Sequence, residues 1–138
     1  MKQSQKQGLH NQTGALGEQL AGQFLMERGF SILAQNYLKP WGEIDIIAEK
    51  SQLIHFIEVK TVSYETKAAL QTAISRGTWR PEENVHHTKL ARMHRAIESW
   101  LASQSADFIA WQIDILAVRV VPREKYATIK YLPNVILD

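Results

Sequence analysis

Acidic and basic side chains within two neighbouring apolar runs are the part of this sequence best suited to chemistry. Asp45 lies in the run 43–48 (EIDIIA), while Glu58 and Lys60 lie in the run 53–60 (LIHFIEVK). Both runs predict β-strands, and the residues between them are few enough to form a hairpin loop. Because strand side chains alternate between faces, the hairpin is predicted to carry Asp45, Glu58 and Lys60 on one face.

The predicted hairpin register sets how close the two carboxylates lie. With the loop centred between Lys50 and Ser51, Glu58 becomes a diagonal neighbour of Asp45, roughly 7–8 Å away at the backbone. Two carboxylates so placed can hold one small cation, and hard oxygen ligands suit Mg²⁺ or Mn²⁺. Together with Lys60, which can orient a water and offset phosphate charge, this set is suited to phosphodiester hydrolysis.

An ordinary salt bridge is the alternative explanation of the same residues. Antiparallel sheets often have one solvated face, on which Lys60 would simply pair with a carboxylate. That alternative predicts polar neighbours on the same face, whereas Ile47, Ile54 and Phe56 are apolar. Ionised groups among apolar neighbours are costly unless they are paired or bind a metal, so the functional interpretation is favoured.

The elements that must position these residues follow the order helix, three strands, helix and two strands. Apolar periodicity and turn residues predict helices at 13–28 and 88–103, and strands at 30–38, 43–48, 53–60, 108–121 and 127–132. Thr13 is the expected N-cap of the first helix and Gly29 its stop. We expect a flexible tail at residues 1–12, a single domain at 13–138, and a long loop at about 61–82.

The hairpin motif resembles the signature of a known nuclease superfamily. Residues 42–45 (GEID) followed by 56–60 (FIEVK) are similar to the PD-(D/E)XK signature. More narrowly, the chain resembles the YraN-type family of bacterial proteins, which are similar to archaeal Holliday-junction resolvases. The resemblance covers nearly the whole chain and includes Gly17, Glu18, Ala21, Asn36, residues 81–85, Lys89, Ile113 and Asp114.

The resemblance implies a fold, a metal site and a catalytic lysine. The implied fold is an α/β, restriction-endonuclease-like αβββαβ core, with a mixed central sheet flanked by helices. The implied metal ligands for Mg²⁺ or Mn²⁺ are Asp45, Glu58 and Glu18, and all three are implied catalytic residues together with Lys60. Glu18 shares a helix face with apolar neighbours and can point inward. The alternative is an exposed acid favoured by the helix dipole.

Basic residues near the second helix are candidates for nucleic-acid binding. The candidates are Arg76, Arg80, Lys89, Arg92 and Arg95. A solvated helix face and contacts to backbone phosphates explain such a pattern equally well. The resembled family commonly carries an arginine two residues after the catalytic lysine, where this chain has Val62. Arg76 or Arg80 from the long loop is therefore a candidate replacement.

Composition excludes several other classes of site. The chain has 138 residues, a formal net charge of +2 and no cysteine, which excludes disulfides, thiolate zinc sites and thiol nucleophiles. The small net charge is the sum of an acidic region around the hairpin and a basic region near the second helix, whose charges largely cancel. No apolar run is long enough for a membrane span, and we expect a cytoplasmic protein with no membrane partner. His55 is expected to be packed, and Asp114 to pair with a basic group.

These observations predict a metal-dependent endonuclease that hydrolyses DNA, with branched or single-stranded DNA as the candidate substrate. Relatives of the resolvase type suggest a homodimer by analogy alone. The alternative is a catalytically inactive nucleic-acid-binding or adaptor protein on a nuclease fold, which Val62 keeps open. A purely structural interaction domain would leave the acids among apolar neighbours unexplained.

Overall fold

One mixed five-stranded sheet lies at the centre of the protein, with helices on both of its faces. The computed structural model describes the backbone of residues 2–77, 87–105 and 109–135, and the side chains of residues 12–77, 90–105 and 109–135. Within these ranges the elements are α1 (Lys2–Glu27), β1 (Ser31–Lys39), β2 (Gly42–Lys50), β3 (Leu53–Ser63), α2 (Lys67–Arg76), α3 (His87–Ala102), β4 (Trp111–Val121) and β5 (Tyr126–Leu132). The predicted α/β class is confirmed.

The strands lie in the order β1-β2-β3-β4-β5, and only the pair β3–β4 is parallel. A parallel pair requires a crossover, and the segment containing α2 and α3 provides it. Helix α1 packs on one face over a cluster that contains Leu25, Ile57 and Leu116. Helix α3 packs on the other face, where Phe56 and Ile97 lie in the second cluster. The central strands are therefore covered on both sides.

Two predicted boundaries are wrong. Helix α1 begins at Lys2 rather than Thr13, so the residues expected to form a loose tail are helical. Their polarity suggested a tail, but Gln and Lys are good helix formers and the segment has no proline. The predicted loop at 61–82 contains the end of β3 and the helix α2. Thr66 caps α2 by accepting a hydrogen bond from Ala69 N–H at 3.0 Å. Residues 78–86 lie outside the described part of the chain.

The β2–β3 hairpin has a different register from the predicted one. Ile46 pairs with Ile57, and Lys50 pairs with Leu53, so the loop consists of Ser51 and Gln52 alone. Both loop residues have positive φ, near 53° and 65°, as a two-residue type I′ turn requires. The predicted centre was one residue too early, which shifts the pairing by two positions. A shift of two does not by itself move a side chain to the other face.

None of the described helices combines the length and the apolar character needed to cross a membrane.

A close approach of α1 to β3 gives the first testable prediction. A Cβ atom added at Gly17 would lie 1.8 Å from Thr61 Oγ1, whereas one added at Gly14, on the same helix, would meet nothing within 4 Å. We expect Gly17→Ala to lower the free energy of unfolding by about 1–3 kcal/mol, because α1 must shift away from β3. The measurement is urea unfolding followed by circular dichroism.

Gly14→Ala is the matched control for that experiment. It should raise the free energy of unfolding by up to about 1 kcal/mol, because alanine favours helix and meets no obstacle. Equal effects of the two substitutions would contradict the close approach.

Candidate functional site

The alternation of side chains breaks at facing positions of β1 and β2. Ile44 and Ile47 both pack in the cluster beneath α3, although residues three apart on a regular strand lie on opposite faces. Ala34 and Tyr37 repeat this exception on β1. The ladder pairs the residues on either side of Asn36 and Asp45, and Asn36 has a φ of 53°. The local irregularity therefore falls at Asn36 and Asp45.

The Asp45 carboxylate reaches across to β3 at this break. The β2–β3 ladder ends at Ile46–Ile57, one residue before Asp45 and Glu58 would pair. Beyond that end, Val59 N–H donates to Asp45 Oδ2 at 2.8 Å. The side chain thus replaces the backbone acceptor that a continued ladder would have offered, and the observed register places Asp45 opposite Glu58 instead of diagonally from it.

Four carboxylates interact electrostatically around this point. The pKa of Asp45 is raised to about 7, first by burial and then by the charge of Glu58, whereas the hydrogen bond from Val59 opposes the shift. The charges of Glu18 and Glu43 act in the same direction as that of Glu58. Like charges held together in a poorly solvated place repel, so this arrangement favours protonation or a bound cation.

Glu18 belongs to this acidic group. Its pKa is raised first by burial and then by the charge of Glu43, with a smaller effect from Glu58, while a hydrogen bond from the Asn36 side chain lowers it. The glycine at position 17 lets α1 approach β3 closely enough to bring Glu18 here. The half-buried Glu18 is therefore among the acids that interact with Asp45.

Glu58 and Lys60 form a shielded ion pair beside the acidic group. Lys60 Nζ lies 3.3 Å from Glu58 Oε1, and Glu58 is only 8% exposed. A small cavity between β3, β4 and α3 is lined by both residues and by apolar side chains such as Met93 and Ile115. The salt bridge expected by the alternative explanation is present, but the solvated face that it required is not.

Two of the acids fit a divalent cation better than a group of three does. Across the described side chains, no group of three His, Asp or Glu residues has the arrangement to hold a metal ion together. Asp45 and Glu58 alone fit the needs of Mg²⁺, which commonly takes one or two protein carboxylates and completes its shell with water and substrate phosphate. Glu18 as a third ligand stays a prediction.

The predicted basic residues lie at different places relative to these acids. Arg76 is exposed at the end of α2, and Arg92 and Arg95 are exposed on α3. Arg80 lies outside the described residues, and of Lys89 only the backbone, within α3, is described. None of these three arginines lies on β3 or on its neighbouring strands β2 and β4. Their role in binding stays a prediction.

Arg119 is a basic residue that sequence reasoning missed. It lies on β4 and pairs with Val62 of β3, where the resembled family commonly has arginine. The parallel ladder places both side chains on the face that also carries Lys60. The sequence held no signal for this pairing, because the register of a parallel pair depends on the crossover and not on a hairpin loop.

A second buried polar cluster lies on the α1 face. Asp114 is fully buried, with Oδ2 2.5 Å from His55 Nδ1 and accepting a hydrogen bond from Tyr131 O–H. Its Oδ1 accepts from the Gln112 side chain and from Asn134 N–H, both at 2.8 Å. Asp114 does pair with a basic group, as expected, and the cluster ties β3, β4 and the end of β5 together.

Comparison with known proteins places the chain in a family. Residues 17–118 match the model of uncharacterised protein family UPF0102. A UPF0102 protein of Dictyoglomus thermophilum is 35% identical over 125 residues, which are 91% of this chain and 97% of that protein. UPF0102 proteins of Mycolicibacterium vanbaalenii and Nocardia farcinica are each 36% identical, over 78% and 79% of this chain and 79% and 77% of their own.

The chain belongs to the UPF0102 family. The YraN-type resemblance inferred from the hairpin motif is thereby confirmed. The matched segment contains the acids, Lys60 and most of the sheet, so the family relation covers the part of the chain that carries the candidate site.

The pKa of Asp45 predicts how stability depends on pH. Between about pH 4 and 7, the folded protein keeps this proton while the unfolded chain loses it, so the free energy of unfolding falls as the pH rises. We expect Asp45→Asn to remove up to about 4 kcal/mol of this loss, at about 1.4 kcal/mol per pH unit. The measurement is urea unfolding at several pH values with EDTA present.

Glu98→Gln, an exposed change on α3, is the control and should keep the wild-type pH dependence. The same pH dependence in Asp45→Asn would show that Asp45 is not the group that takes up the proton.

Proposed function

We propose that this UPF0102 protein is a metal-dependent nuclease that hydrolyses phosphodiester bonds in DNA. The observation that carries the proposal is the buried Asp45 carboxylate, which accepts a hydrogen bond from Val59 N–H and interacts electrostatically with Glu58, itself paired with Lys60. Buried acids of like charge destabilise a fold unless something compensates them. A divalent cation would offset the charge of these acids, and the acids would in turn hold the cation against a phosphate substrate.

In this proposal, Asp45 and Glu58 hold Mg²⁺ or Mn²⁺, and Glu18 contributes from α1. When bound, the metal would act as a Lewis acid that activates water and offsets charge on the phosphate. Lys60 orients the attacking water and stabilises the negative charge on the phosphate oxygens. Hydrolysis forms one bond from the water oxygen to phosphorus, with release of one proton from the water, and breaks one bond to a sugar oxygen, which takes up one proton.

The fold supports a restriction-endonuclease-like core. The mixed sheet with helices on both faces is consistent with it, and its β2–β3 hairpin carries all the catalytic residues except Glu18. By analogy with Holliday-junction resolvases, branched or single-stranded DNA is the proposed substrate and a homodimer the proposed assembly. We expect the protein to act in the cytoplasm.

A non-catalytic nucleic-acid-binding or adaptor protein is the second candidate function. The Lys60–Glu58 ion pair favours it, because it engages both groups without a metal. The absence of a three-ligand group among the described side chains points the same way. Both functions predict DNA binding, so cleavage separates them.

Cleavage and metal binding together test the proposal. Fluorescently labelled linear duplex, single-stranded and four-way-junction DNA are incubated with the protein and Mg²⁺, Mn²⁺ or EDTA. We expect metal-dependent cleavage, which Asp45→Asn and Lys60→Met each reduce at least about 100-fold. In a separate readout, Mn²⁺ should raise the thermal midpoint of the unaltered protein but not that of Asp45→Asn.

Glu98→Gln and Lys50→Met are the charge-matched controls, because both residues are exposed and lie on α3 and in the β2–β3 hairpin away from Asp45. Both should cleave as the unaltered protein does. DNA binding without cleavage under any metal condition would favour the adaptor. Cleavage that survives Asp45→Asn would assign the activity to a contaminant or to another site.

A further inference from the structure

The face of the sheet that carries Lys60 continues as a basic surface across β4 and β5. Ala117 of β4 pairs with Lys60 of β3 on one side and with Lys130 of β5 on the other. Paired residues point to the same face, so both lysines lie on the α3 side of the sheet, roughly 10 Å apart at the backbone. The residue between them is an alanine, whose short side chain leaves space.

Arg119 extends this row along β4. It lies two residues beyond Ala117, on the same face, and pairs with Val62 and with Thr128. Lys130 is its diagonal neighbour across the β4–β5 ladder, roughly 7–8 Å away at the backbone. Their side chains can therefore reach one ligand together.

A cavity joins these two cations beneath α2. Its volume is about 190 Å³, and it is lined by Ile74 of α2 together with Ala117, Arg119, Thr128, Ile129 and Lys130. Among the described residues that line it, none is acidic. The volume is far larger than a single water needs, so a phosphate group fits. The guanidinium fork of an arginine matches the oxygens of a phosphate, and a lysine adds a point charge.

We propose that Arg119 and Lys130 form a second phosphate-binding site, which binds a backbone phosphate flanking the one hydrolysed beside Lys60. The site rests on the proposed function, since it takes the same nucleic-acid strand. It fixes the register of that strand over β3, β4 and β5, and it carries no base specificity. Arg119 and Lys130 are positioning residues, because they contact the strand away from the reacting phosphorus.

The salt dependence of DNA binding tests this site. Anisotropy of a fluorescein-labelled four-way junction and a linear duplex is titrated with protein in EDTA, between about 50 and 200 mM KCl. Each of Arg119→Met and Lys130→Met should weaken binding about tenfold and reduce the slope of log K against log[salt] by about 1. The double variant should reduce the slope by about 2.

The double variant Arg28→Met, Lys50→Met is the matched control, since it also removes one arginine and one lysine. Arg28 follows α1, and Lys50 is the last residue of β2. These side chains lie over the rings of Phe24 and Phe30, on the other face of the sheet. The control should keep the wild-type slope. Lys130 is exposed, so Lys130→Met retains its fold and decides the question even where Arg119→Met does not fold.

The outcomes separate this site from the proposed function. An unchanged slope in Lys130→Met overturns the second phosphate site, while metal-dependent cleavage by the same preparation would leave the nuclease proposal standing. Failure of the unaltered protein to bind either DNA would overturn the nuclease proposal and this site with it. A slope reduced equally by the control pair would show a diffuse charge effect and also overturn the site.

Discussion

The hydrogen bond from Val59 N–H to the Asp45 carboxylate is the interaction on which the rest of the site depends. It forms where the β2–β3 ladder stops, so a side chain takes over from a backbone carbonyl. A carboxylate in that position lies between β2 and β3, where burial removes it from water and the charge of Glu58 acts on it. Helix α1 and Asn36 of β1 complete the surroundings, since Gly17 allows close packing and Asn36 hydrogen-bonds Glu18.

The two buried aspartates, Asp45 and Asp114, differ in how fully their carboxylates are hydrogen-bonded. Asp114 is surrounded by hydrogen-bond partners, with His55, Tyr131, Gln112 and the Asn134 N–H all at its two oxygens. Hydrogen bonds to both oxygens stabilise a buried carboxylate and rigidify the strands around it. The surroundings of Asp45 are three other acids and one backbone donor, and its pKa is raised. A group kept at that energetic cost is where a function is expected.

The strands that carry the residues of the candidate site were predictable from the sequence, whereas the contacts of those residues were not. Strand alternation placed Glu58 and Lys60 correctly, because an error of two positions in register preserves the face. The break at Asn36 and Asp45 could not be predicted, since a positive φ in a strand depends on the packing of both neighbours. The sequence did not predict helix α2, because the segment is short and weakly periodic even though Thr66 caps it.

Val62 also shows that, where a motif residue is absent from one strand, a residue of the neighbouring strand can place the same kind of side chain nearby. A side chain two residues after Lys60 lies on the same face of β3 as Lys60. The neighbouring parallel strand is about 4.8 Å away, and its paired residue lies on that face too. Arg119 lies at the position paired with Val62, so that face still carries a cation. This charge lies on β4 instead of β3, and it has a neighbour in Lys130 of β5. Loss of the arginine at position 62 therefore does not by itself argue for an inactive protein.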